Sequence, residues 1–137
     1  MAIQRIAVLG AGQMGNGITQ VAAAAGYDVI MIDIQQEYVD KGLATIQRSL
    51  GKLVSKERMS QEDADATLAR ISLATDRNVC ADCDLVVEAV PEILDLKTSI
   101  FAELDGICKP ETILASNTSS ISISTIADAT NLSLIHI

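Results

Sequence analysis

Three glycines at positions 10, 12 and 15 lie between an apolar run and a stretch of small residues, and they constrain this chain more than any other feature of its 137 residues. Ile3 to Leu9 is short, apolar and rich in β-branched residues, the pattern of a buried strand. Gln13 to Ala25 has the composition of a helix whose faces must come close to something, and Gly26 is placed to close it. Between them Gly10-Ala11-Gly12-Gln13-Met14-Gly15 must turn the chain from strand to helix. The first glycine permits the tight turn, the second leaves the backbone bare, and the third lets the helix approach the strand. Val29 to Ile32 is a second buried strand, with Asp33 at its carboxyl end, about 20 residues beyond the glycines.

G-x-G-x-x-G alone is common in glycine- and alanine-rich stretches. After a strand, at the start of a helix and followed by an acidic residue at the next strand's end, it is the fingerprint of dinucleotide binding. The free N–H groups of the helix start, and its positive dipole end, suit a pyrophosphate. Gly10, Ala11, Gly12, Gln13, Met14 and Gly15 are therefore candidate cofactor-binding residues. A carboxylate at Asp33 can accept bonds from ribose hydroxyls and would repel a 2′-phosphate, which favours NAD over NADP. The plain alternative for Asp33 is a helix cap.

The rest of the chain alternates in the same way. Val39, Leu43, Ile46, Leu50 and Leu53 recur at helical spacing between Gln36 and Lys56, and Ser60 opens a second helix running to about Ala69. These two helices read as a hairpin arm after the second strand. Strands follow at Ile71 to Ala74, Leu85 to Ala89 and Thr112 to Ala115, with helices at Leu94 to Ile107 and Ile123 to Ala129. Such alternation predicts an α/β fold, a Rossmann-type doubly wound parallel sheet. With 49 % hydrophobic but only 2 % aromatic residues, the core must be aliphatic, which suits helices packed on a parallel sheet.

A net charge of −8 argues against nucleic acid and membrane surfaces as partners, since like charges repel within a Debye length of ~8 Å. No apolar run approaches the roughly 18 residues of a spanning helix, and the opening residues leave no room for a secretory core, so a cytoplasmic protein is expected. Cys80, Cys83 and Cys108 read as reduced thiols, and Cys80-Ala-Asp-Cys83 lacks the second ligand pair of a zinc motif, so no metal is expected.

Three segments carry a resemblance. Leu9-Gly10-Ala11-Gly12-Gln13-Met14-Gly15-Asn16-Gly17-Ile18, Asp84-Leu85-Val86-Val87-Glu88-Ala89-Val90-Pro91-Glu92 and Ala115-Ser116-Asn117-Thr118-Ser119-Ser120 resemble the L-3-hydroxyacyl-CoA dehydrogenases, in particular the 3-hydroxybutyryl-CoA type. The resemblance runs from Ile3 to about Thr130, and Ser-Asn-Thr-Ser-Ser is its most specific part. It implies an NAD-dependent oxidoreductase of fatty acid metabolism that oxidises the 3-hydroxyl of an acyl-CoA, acting as a homodimer. It also implies that Glu92 and Lys97 lie along the nicotinamide half of NAD, that Ser119 touches both nicotinamide and the acyl substrate, and that Ser49 and Lys56 contact coenzyme A. On a helix Ser49 and Lys56 fall about 20° apart, with Lys52 close by. The plain alternatives are a solvated face for Lys52 and Lys56, a polar loop for Ser116 to Ser120, and a first-turn acid with an exposed helix lysine for Glu92 and Lys97.

The resemblance also implies a histidine base in a His-Phe-x-Asn-Pro segment, which these residues lack; the histidine present is His136. The expected organisation is an NAD-binding domain over 1–130, incomplete at its C-terminal end, and a tail over 131–137 that departs from the family. The family's C-terminal substrate and dimerisation domain is not expected within these 137 residues. Such a chain is expected to bind NAD without turning over substrate. A non-catalytic NAD-binding module, or another NAD-dependent hydroxy acid dehydrogenase, fits the same residues.

Overall fold

The structure, a computed structural model, describes residues 3–117, 123–128 and 130. Five strands, β1 (Arg5–Leu9), β2 (Asp28–Ile32), β3 (Ile71–Ala74), β4 (Leu85–Glu88) and β5 (Ile113–Ser116), form one sheet in the order β3-β2-β1-β4-β5. Every pairing is parallel. The helices are α1 (Gln13–Ala24), α2 (Gln36–Ser55), α3 (Gln61–Ala69), α4 (Leu94–Ile107) and α5 (Ile123–Ala127), and a 3-10 turn spans Arg77–Asp82.

The sheet face beneath α4 is covered from β2 to β5 and the opposite face over β1 and β2, while Leu85 and Val87 of β4 are half-buried on that second face; the strands are accordingly apolar rather than alternating. Ala7, Leu9, Ile30, Ile32, Val86 and Leu114 face Ile100, Phe101 and Leu104 of α4 and Ile126 of α5. The other parity packs against the opposite layer, where Ile6, Val8 and Val29 meet Ala23 of α1 while Met31 meets Val39, Ile46 and Leu50 of α2.

The helix boundaries follow from local chemistry. Gly26, at φ +106°, ends α1: the Tyr27 N–H donates to Ala22 O and the Gly26 N–H to Ala23 O, the paired bonds of a Schellman cap. The Arg70 guanidinium donates to Ala23 O at the same end. Ser60 caps α3 by accepting from the Asp63 N–H at 3.0 Å. The α2–α3 hairpin is present where the periodicity places it. Its first helix also lies on the sheet, so closely that a Cβ at Gly42 would stand 2.9 Å from Ala11 O and from Met31 Cε. The hairpin thus performs the crossover from β2 to β3 as well as forming an arm.

Parallel register lines up the carboxyl ends of the strands. Ala74, Ile32, Leu9, Glu88 and Ser116 form one continuous row across the sheet. The next residue of each strand, Thr75, Asp33, Gly10, Ala89 and Asn117, therefore emerges on a single edge. The order of strands reverses between β1 and β4, and ligands of open parallel sheets bind outside the carboxyl ends at such a point.

Candidate functional site

Gly10 leaves β1 at φ +111°, and a Cβ there would sit 2.5 Å from the Ala89 carbonyl oxygen after β4. Gly15 is tighter still: its Cβ would overlap Gly10 O, so α1 can start here only on a residue without a side chain. Nothing lies within 4 Å of the Cβ direction at Gly12, which faces open space. The three glycines thus divide the work as the spacing predicts: two permit close packing and the third keeps a cradle clear.

No side chain caps α1 and its first turn carries no acid, so its first N–H groups point unpartnered by side chains toward that cradle. A cleft of about 560 Å³ runs past it, lined by Gly10, Gly12, Gln13, Met14 and Asp33 at one side and Ala89, Val90, Pro91 and Asn117 at the other. That volume lies within the ~300–1,000 Å³ common for small-molecule sites. The bare backbone at Gly12 and the uncapped helix start are what a dinucleotide pyrophosphate requires.

Asp33 is half-buried at the end of β2. Its carboxylate accepts from the Ala11 N–H at 2.9 Å and from the Ile34 N–H at 2.7 Å, so it fastens the glycine loop to the next strand. A carboxylate has about four acceptor directions, so two remain for donors in the cleft that Asp33 lines. Asp33 is not the helix cap considered as its alternative, because Gln35 occupies that position in α2.

Behind Val90 and Asn117, at the other side of the cleft, lies a group that sequence reasoning only half found. Lys97 is fully buried in α4, not an exposed helix lysine. Its ammonium donates to both Glu88 oxygens at 2.8 and 2.9 Å, pairs with Glu92 Oε1 at 3.0 Å, and reaches the Asn117 carbonyl at 3.4 Å. Glu88 is also fully buried and further accepts from the Val90 N–H at 2.8 Å and from the Ser116 hydroxyl. Glu92 and Lys97, expected from the resemblance, are thus brought together. Glu88, Ser116 and Asn117 complete the cluster, and the available signal was a carboxylate closing an apolar run nine residues before a lysine.

Ser49 and Lys56 stand elsewhere, Ser49 on the second half of α2 and Lys56 at its C-cap. The Ser49 hydroxyl accepts from Gln20 Nε2 of α1 at 3.0 Å, while Lys52 and Lys56 are exposed. Neither Ser49 nor Lys56 lines the cleft. Ser119, His136 and the 131–137 tail lie outside the described residues. Cys80 and Cys83 are buried in and beside the 3-10 turn, and neither lines the cleft. Burial, aided by the neighbouring Cys83, pushes the Cys80 thiol up to about 12, and burial also pushes Cys108 up to about 11, so these thiols are poor nucleophiles.

Fold, glycine cradle and acidic strand end together define a dinucleotide-binding domain of the doubly wound class. The chain belongs to the family described as 3-hydroxyacyl-CoA dehydrogenase, NAD binding domain, matched over residues 5–133. It is 50 % identical over 125 residues to a probable 3-hydroxybutyryl-CoA dehydrogenase of Deinococcus radiodurans, covering 91 % of this chain and 45 % of that one. A 3-hydroxybutyryl-CoA dehydrogenase of Bradyrhizobium diazoefficiens is 46 % identical over 129 residues, covering 94 % and 44 %. Among solved structures, that of (S)-3-hydroxybutyryl-CoA dehydrogenase from Ralstonia eutropha superposes with a TM-score of 0.92 at 43 % identity, over 95 % of this chain and 46 % of that one. The chain spans about half the length of the curated relatives it matches. NAD is the cofactor of this domain family.

Proposed function

We propose that this chain supplies the NAD site of an NAD-dependent 3-hydroxyacyl-CoA dehydrogenase of the 3-hydroxybutyryl-CoA type. Hydride from the substrate's 3-hydroxyl carbon passes to the nicotinamide, which is the chemistry the bound cofactor supplies. The observation that carries the proposal is the single strand-end edge: the glycine loop and Asp33 line one cleft with Val90 and Asn117, which the buried Glu88–Lys97 pair holds from behind. The N–H groups of Gly12 to Gly15 hold the pyrophosphate and Asp33 binds a ribose. Glu92 and Lys97 orient the nicotinamide half, and Ser119 touches both nicotinamide and acyl group. Ser49 and Lys56, with Lys52, offer a hydroxyl and ammonium groups on one helix edge to coenzyme A. The general base is not found in the described residues, and substrate turnover needs a histidine other than His136, whose surroundings in sequence lack the His-Phe-x-Asn-Pro segment. A cytoplasmic homodimer acting in fatty acid metabolism is the setting this role implies; among the described residues no helix is long and apolar enough to cross a membrane.

Titration of the 137-residue chain with NADH and NADPH tests the cofactor site. NADH should bind at least about tenfold more tightly, a difference of ~1.4 kcal/mol, and Gly12→Val should abolish binding of both. Equal affinities would remove Asp33 from its role. Acetoacetyl-CoA should not be reduced by this chain alone with NADH, and a measurable rate would overturn the need for an outside base.

A further inference from the structure

Glu88 stands in the row of strand ends beside Leu9 and Ile32, which face the apolar layer beneath α4. A carboxylate there occupies the place of an aliphatic side chain. A buried ion pair is a poor way to stabilise a core, because apolar residues of similar volume often serve as well. The bonds Glu88 makes lead instead to the cleft. Val90 and Asn117 line it; Glu88 holds the Val90 N–H directly, and reaches Asn117 through Lys97. Ser116, which Glu88 also bonds, immediately precedes Asn117. One side chain thus fixes the end of β4, the turn after it, the first turn of α4 and the end of β5.

The cluster also has a sign. Among these three groups the carboxylates, Glu88 and Glu92, outnumber the ammonium of Lys97 by one. Asp33 marks one end of the cleft and the glycine loop its middle, so Pro91 and Asn117 mark the end that receives the nicotinamide half. The nicotinamide ring is cationic when oxidised and neutral when reduced. A negative cluster in a partly dry site therefore favours the oxidised form.

We infer that Glu88 is a positioning residue that, through Lys97, Glu92 and Asn117, sets the geometry and net charge of the nicotinamide end and so tilts binding toward NAD⁺ over NADH. The inference rests on the cofactor site proposed above. Dissociation constants for NAD⁺ and NADH, measured by calorimetry on the 137-residue chain, test it. Glu88→Gln keeps the shape and removes the charge, and should shift the NAD⁺/NADH affinity ratio about fivefold toward NADH. Glu88→Asp keeps the charge with a shorter reach, and should weaken both cofactors while leaving the ratio as in the parent. Glu92→Gln, at a side chain 34 % exposed, should shift the ratio in the same direction as Glu88→Gln. Equal loss of both affinities in Glu88→Gln, or no change, overturns the inference by reducing Glu88 to a structural part. Should Glu88→Gln fail to fold by circular dichroism, an unmoved ratio in Glu92→Gln overturns it as well. If the parent chain binds neither cofactor, the site proposal itself falls; a parent that binds both with ratios no variant moves defeats only the inference.

Discussion

Gly15, Thr19 and Ala23 form the stripe by which α1 meets the sheet, and their small size is what the contact with the glycine loop demands. Thr19 has a flaw in it: among the described residues its hydroxyl is the buried side-chain polar atom with no hydrogen-bond partner. An unpaired buried hydroxyl costs roughly 1–3 kcal/mol, whereas valine has the same shape and a similar helix propensity. Thr19→Val should therefore raise the free energy of unfolding by ~1 kcal/mol in a denaturant titration and leave NADH affinity unchanged. A loss of stability would show that the hydroxyl has a partner after all. The contrast with Glu88 is instructive, since that side chain is equally buried and has its oxygens fully engaged.

At the scale of the element, α2 packs directly against the cofactor loop at Ala11. Val39, Gly42, Ile46 and Leu50 are its buried positions, and Gly42 is where the helix comes closest to Ala11 and Met31. A methyl group added there must push Ala11, whose N–H is held by Asp33, out of line. Gly42→Ala should cost ~1–3 kcal/mol through overpacking and weaken NADH binding as well, both read by denaturation and titration. Gly51→Ala, on the same helix but facing open space, provides the comparison: it should gain up to ~1 kcal/mol from helix propensity and leave the cofactor alone. Equal effects of the two substitutions would mean that the close approach of α2 has no bearing on the loop.

Across the whole molecule the two ends of the sheet have different tasks. The carboxyl ends carry the cleft, while the amino ends are tied together by Asp84. Its carboxylate accepts from the Gln4 and Arg5 N–H groups at 3.0 and 3.1 Å and from Lys109 Nζ at 3.0 Å, so it joins the starts of β1 and β4 to the approach to β5. The Gln4 N–H first of all, then Lys109, brings the Asp84 carboxyl down to about 2 from 3.8. A depressed folded-state value means that the ionised form is the one folding favours. Its contribution is complete above the ordinary carboxylate range and is lost as pH falls through about 4 toward 2. Melting temperatures between pH 6 and 2 should fall more steeply in the parent chain than in Asp84→Asn, which should be less stable at pH 6 and converge with the parent near pH 2. Parallel curves would show that Asp84 is no latch.

The glycine loop, its flanking strands and helix, Asp33 and the Ser60 cap were legible because each is a local matter: a turn that needs bare backbone, a repeat of apolar residues, a hydroxyl three residues before an N–H. Gly42 was silent in the periodicity of α2, since a glycine carries no hydrophobic signal and its importance lies in what approaches it from Ala11 and Met31. Glu88 was hidden for a related reason. In sequence it ends an apolar run, and only the register of β4 against β1, with α4 laid beneath, puts Lys97, Ser116 and Asn117 around its oxygens. Lys97 likewise reads as a surface lysine until the fold encloses it. The sequence by itself therefore determined the elements, their order and the nucleotide-binding loop, because strand, helix and turn preferences act over a few residues. Which charges are buried, which meet, and what sign they present to the far end of the cleft was decided by tertiary structure alone, because those contacts join β4, α4 and β5 across a parallel sheet.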